Sequence, residues 1–151
     1  MDTAAIGTAG ELLVQYKLLK YGIDSARLTV DAGIDLVMYV PGHHEAATIQ
    51  VKTKKKPVPA GGKGKPTLGW NFRDACPAEW LAVADLSTDR AWLFTMHQAR
   101  ELAQQHSAND QRQLYWYIDD SAPNSARTQR QMESYRVEAV AERLLRPHRT
   151  S

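Results

Sequence analysis

A chain of 151 residues, 43% hydrophobic and 24% charged, is long enough to bury a core as a single domain over 1–151, which excludes a disordered polyelectrolyte. Its one cysteine, Cys76, rules out an internal disulfide or a cysteine zinc site and suits a reducing cytoplasm; no apolar run nears the ~18 residues of a membrane span, and no leader-like segment starts the chain. The net charge of +2 is too small to argue for a polyanionic partner, yet six lysines lie between positions 52 and 65.

In chain order, Ile6, Ala9, Leu12, Leu13, Tyr16 and Leu19 recur at helical steps and predict an amphipathic helix from Thr3 to about Tyr21, stopped by Gly22. Residues 26–30, 35–40 and 46–51 read as short strands, the last two joined by the turn PGHHE. A Lys-, Gly- and Pro-rich stretch at about 53–69 predicts a mobile surface loop. Residues 80–86 and 90–95 predict a strand pair around STDR, residues 96–106 a helix, 113–118 a strand and 126–146 a closing helix. That order implies an α/β arrangement of helices around one sheet. The tryptophans, Trp70, Trp80, Trp92 and Trp116, suit core packing better than base stacking.

The stretch DAGIDLVMYVPGHHEAATIQVKTKKK carries the chemistry. Residues two apart on a strand share a face, so Gln50 and Lys52 project together while Ile49 and Val51 face the other layer. If the two strands joined by PGHHE pair antiparallel, Asp35 at the start of one comes close to Gln50 and Lys52 at the end of the other. A carboxylate, an amide oxygen and an ammonium in one cleft suit a hard cation such as Mg²⁺, with the lysine acting on a water or on charge at phosphorus.

GELL, GIDL and IQVKTK resemble the PD-(D/E)XK nuclease superfamily, in the Gln-x-Lys variant found among Mrr-like restriction enzymes, homing endonucleases and resolvase-like members. The resemblance implies a restriction-endonuclease-like core, a mixed central sheet flanked by helices. It also implies a DNA endonuclease that hydrolyses phosphodiesters with Mg²⁺, or Mn²⁺ as a substitute. Asp35 matches the motif aspartate, Lys52 the motif lysine, and Gln50 stands where an acid is commoner; Glu11, after GTAG, is similar to the helix glutamate that completes the metal site in resolvase-like members. The implied metal set is Asp35, Glu11, Gln50 and Val51. Two departures stand out: Ile34 precedes Asp35 in place of proline, and Gln50 removes a charge that Glu11 would then have to supply.

Other features have plainer readings. Asp31 is a turn residue beside Gly33, His43 and His44 lack zinc-site spacing, and GGKGK is followed by Pro66, so it is not a Walker loop. The C-terminal arginines alternate with Glu133, Glu138 and Glu142 as a solvated helix face. Lys54, Lys55, Lys56, Lys63 and Lys65 directly follow the metal strand, which suits contact with a DNA backbone. Two classes remain open: an endonuclease of DNA defence, mobility or repair, and a nuclease-fold module for binding or assembly. Cutting both strands calls for two active sites, hence a homodimer, and the lack of an evident recognition domain leaves room for a separate recognition protein.

Overall fold

Asp2 opens the first helix, α1 (Thr3–Leu19), by accepting the Ala5 N–H at 2.8 Å, in a computed structural model that describes residues 1–30, 32–123 and 126–147. Gly22 takes φ +76°, and the Ile23 N–H returns to the Leu18 carbonyl at 3.1 Å to end it. The buried face of α1 is Gly10, Val14 and Leu18, whereas Leu12, Tyr16 and Leu19 are more than half exposed. The expected stripe was therefore rotated: apolar residues lie all round this helix, and contact with the sheet selects among them. Gly10 marks that contact, since a Cβ there would lie 1.8 Å from Thr53 Oγ1.

After β1 (Asp24–Arg27), β2 (Leu36–Tyr39) and β3 (Ala47–Lys54) come β4 (Val58–Pro59) and β5 (Pro66–Arg73), then β6 (Trp80–Asp85) and β7 (Arg90–Thr95). A five-stranded sheet runs β1-β2-β3-β6-β7, antiparallel throughout except for the parallel β3–β6 pair. The β6–β7 hairpin is tied by Asp85, 1% exposed, which accepts from the Ser87 N–H and hydroxyl at 3.0 and 2.7 Å and the Thr88 hydroxyl at 2.8 Å. One face of this mixed sheet packs Leu36, Met38, Ile49, Val51, Ala82 and Leu93 against α1 and the last helix. The other packs Leu81, Val83, Trp92 and Phe94 against a second layer.

That second layer was not expected. The stretch read as a mobile loop at 53–69 contains β4 and the start of β5, and Leu68, Trp70 and Phe72 point inward from β5. The helix expected at 96–106 ends as α2 (Met96–Leu102), closed at its start by a Thr95–Gln98 capping box, and is followed by β8 (Gln105–His106) and β9 (Gln111–Tyr117). Together they form an antiparallel sheet in the order β4-β5-β9-β8. Between the sheets Trp116 packs tilted against Trp70 and edge-on against Trp92, both at 4.9 Å between ring centres, and its indole N–H donates to Gln129 Oε1 at 3.1 Å. Trp70, Trp92 and Trp116 are core residues; Trp80 is half-buried against the other layer. The closing helix expected at 126–146 is two pieces, a 3₁₀ segment (Gln129–Tyr135) and α3 (Val137–Leu145), separated by extended backbone at Arg136. Among the described residues no helix is long and apolar enough to cross a membrane.

Candidate active site

Asp35 is held by its backbone on both sides. Its N–H donates to the Ile49 carbonyl at 2.8 Å, and its own carbonyl accepts the Leu28 N–H at 3.0 Å. The preceding turn needs Gly33, at φ +83°, where a Cβ would also press on Pro77 Cδ at 3.1 Å. Because β2 begins at Leu36, opposite Ile49, β3 continues past it, and the Val51 N–H leaves β3 on an edge without a facing strand. The Asp35 carboxylate fills that place, accepting the Val51 N–H at 2.7 Å. N–H and C=O of one strand residue leave on the same edge, so the Val51 carbonyl also projects toward the Asp35 side.

Gln50 and Lys52 leave β3 on the face away from α1 and line one cleft of about 530 Å³ with Gly33, Arg73, Cys76 and Gln111. Gln50 Oε1 is buried and has no hydrogen-bond partner among the described residues. A buried acceptor left unpaired costs about 1–3 kcal/mol, so its position asks for a donor or a cation. Cys76 donates its thiol to the Gly33 carbonyl at 3.4 Å and so braces the turn before Asp35. Arg73 and Gln111 had escaped the sequence reading; the alternation of Leu68, Trp70 and Phe72 was the signal that Arg73 ends a strand.

Glu11 stands elsewhere. It belongs to the α1 layer, on the Ile49 and Val51 side of the sheet, and its carboxylate accepts from Arg27 Nη2 at 3.0 Å and Nε at 3.3 Å. Arg27 lies opposite Leu36, so the pair sits at the same end of the sheet as Asp35, and neither Glu11 nor Asp35 lines the cleft shared by Gln50 and Lys52. Asp31 lies outside the described residues.

The basic stretch divides. Lys54 and Lys56 line a second groove, while Lys55 and Lys63 are exposed. Lys65 is tied down, donating to the Ser121 carbonyl at 2.7 Å and to its hydroxyl. A separate group, Asp74, His106 and Asp110, brings potential cation ligands within 4.8 Å of one another. Guanidinium groups already supply positive charge there: Asp74 accepts from Arg112 Nε, with Arg100 at 3.8 Å, and Asp110 lies 4.0 Å from Arg73. The hydrogen bond from Arg112 holds the Asp74 carboxyl below the usual carboxylate range.

No protein-family profile matches the sequence, and no curated protein matches it. The structure is similar to that of a bacterial homing endonuclease, I-Ssp6803I, with a TM-score of 0.65 and 15% identity over 95% of this chain and 94% of that one. It is also similar to Hjc, a Holliday junction resolvase from Archaeoglobus fulgidus, at a TM-score of 0.47 and 16% identity over 76% of this chain and 84% of the other. The chain has the restriction-endonuclease-like fold, with its mixed central sheet and flanking helices.

Proposed function

We propose that the protein is a metal-dependent DNA endonuclease, with Asp35, Gln50 and Lys52 as the centre of its active site. The observation that carries this reading is the edge of β3, where the Asp35 carboxylate stands at 2.7 Å on the N–H of Val51, the residue after Gln50, whose buried Oε1 has no hydrogen-bond partner among the described residues. These donors suit Mg²⁺, with Mn²⁺ as a substitute: a carboxylate, an amide oxygen and the Val51 carbonyl are hard oxygens, and a cation would satisfy Gln50. When bound, the ion would supply Lewis-acid polarisation of a phosphoryl oxygen and a more acidic water.

The chain's own groups would do the rest. Asp35 holds the negative charge at a fixed position because three hydrogen bonds anchor it. Lys52, which lines a cleft with Gln50, would orient the attacking water and offset charge developing at phosphorus. Glu11 would join the metal set only on release from Arg27. Lys54, Lys55, Lys56, Lys63 and Lys65 would contact phosphates, Lys65 after leaving Ser121. Cleavage of both strands would use a homodimer.

One observation favours a second reading, a nuclease-fold binding or assembly module: with Glu11 paired to Arg27, Asp35 is the one carboxylate of the set at the β3 edge. The test is incubation of the purified chain with supercoiled, linear, branched and single-stranded DNA, in Mg²⁺, in Mn²⁺ and in chelator. Cleavage that requires either metal and is lost in Asp35→Asn supports the enzyme. No cleavage of any form, with Mg²⁺ binding unchanged by Asp35→Asn, leaves the binding module.

A further inference from the structure

The outward face of the second sheet has no role in the scheme above. In the seven-pair ladder from Thr67–Tyr117 to Arg73–Gln111, one set of side chains packs inward, Leu68, Trp70 and Phe72 with Leu114 and Trp116. The other set points outward: Thr67, Gly69, Asn71 and Arg73 on β5, with Tyr117, Tyr115, Gln113 and Gln111 opposite them. Gln105 of β8 extends the row beside Gln113.

This face is continuous with the cleft that Gln50 and Lys52 line. Arg73 and Gln111, at one end of the ladder, line the cleft with Gln50 and Lys52. Toward the other end, Gly69, Gln113, Tyr115 and Tyr117 line a groove of about 290 Å³ whose rim is Lys54 and Lys56. Lys52 and Lys54, two residues apart on β3, thus face one cavity each along a single path. No acidic side chain lines either cavity among the described residues. A merely solvated sheet face ordinarily intersperses both signs of charge.

The amides on this face are also uncommitted. The side chains of Asn71, Gln105, Gln111 and Gln113 make no hydrogen bond among the described residues. Neighbouring Gln104, by contrast, is spent on the Tyr115 backbone, donating to its carbonyl at 2.7 Å and accepting its N–H at 3.1 Å. Each amide presents a donor and an acceptor side by side, the pair that matches an adenine edge in the major groove.

We propose that the outward face of β5 and β9, with Gln105, is the surface through which this chain reads the sequence of duplex DNA. The proposal rests on the nuclease reading and extends it to recognition. Lys54, Lys56 and Arg73 hold phosphates, while Asn71, Gln105, Gln111 and Gln113 touch base edges. Six steps of ladder at about 3.4 Å span about 20 Å, the length of about six base pairs at 3.4 Å each. The same chain then carries both recognition and the cleft.

The test uses the full chain without divalent metal, selecting from a pool of randomised duplexes, beside salt-controlled binding to one fixed duplex. Wild type is expected to enrich a motif of about six base pairs. Asn71→Ala with Gln113→Ala should lose on the order of tenfold preference at one or two positions, with an unchanged salt slope. Lys54→Ala, Lys56→Ala and Arg73→Ala together should keep the motif and make the log-log salt slope shallower by about 2.7. Unchanged enrichment in the amide variant, or binding by wild type without any motif, overturns the reading surface, provided thermal melting shows the variants folded. Cleavage scored separately in Mg²⁺ keeps the two ideas apart. A motif without cleavage sinks the nuclease and leaves the reading face, cleavage without a motif does the reverse, and absence of DNA binding sinks both.

Discussion

Replacing Asp35 by alanine and by asparagine removes two different things. Alanine deletes both the negative charge and the acceptor of the Val51 N–H, whereas asparagine keeps an amide oxygen that can take the 2.7 Å hydrogen bond while losing the charge. A hydrogen bond to a charged group is worth about 1.5–3 kcal/mol, and leaving the half-buried N–H unpaired costs in the same range, so Asp35→Ala should lose about 2 kcal/mol. At about 2–4 °C per kcal/mol for a domain of this size, Tm should fall by about 4–8 °C. Asp35→Asn should lose less than about half of that. Metal linkage behaves oppositely. Mg²⁺ at a hundred times its dissociation constant would stabilise wild type by about 2.7 kcal/mol, and both variants should lose this increment alike. Differential scanning calorimetry with and without Mg²⁺, beside titration calorimetry, reads both effects. The assignment of Asp35 as the anionic ligand is refuted if Asp35→Asn retains the full Mg²⁺-dependent rise in Tm.

The other expectations follow from the same geometry. Lys52→Ala should lower cleavage by at least about a hundredfold while leaving Tm and DNA affinity nearly unchanged, as single-turnover assays and binding titrations would report. Gly10→Ala should destabilise by about 1–3 kcal/mol, because its new Cβ falls 1.8 Å from Thr53 Oγ1 and α1 must lift from β3; denaturant unfolding measures it. Neutralising Lys54, Lys55, Lys56, Lys63 and Lys65 should make the salt dependence of DNA binding shallower by up to about 4.5, and an unchanged slope would mean that these lysines touch no phosphate. Asp74 gives a pH test: its folded pKa lies below the unfolded value, so its contribution is present above the unfolded carboxylate pKa and is lost as pH falls through the lowered one. Asp74→Asn should therefore flatten the acid limb of a stability-against-pH curve measured by thermal melts.

Strand and helix signals that depend on neighbours in the chain were readable from the residues alone. The helical spacing before Gly22, the turn PGHHE between two apolar runs and the STDR turn each predicted an element that exists, because backbone propensity and side-chain alternation act over a few residues. The approach of Asp35 to the Gln50 end of β3 was also readable, since antiparallel pairing across a short turn leaves one register that buries Leu36 with Ile49. Long-range pairing decided the rest. Pro66 to Gly69 read as the tail of a polar loop until β9, more than forty residues on, supplies their ladder and Trp116 fills the space behind Trp70. The buried face of α1 was chosen by the fit of Gly10 on Thr53, because the helix offers apolar residues on every side. Glu11 took Arg27 as its partner because α1 crosses β1 at that point, a contact between residues that no spacing along the chain announces. The second sheet, the cleft it walls with Arg73 and Gln111, and the path from Lys52 to Lys54 exist only once distant segments share a core. Local pattern specifies elements, but which side chains face one another across a cleft is set by how those elements bury their apolar faces together.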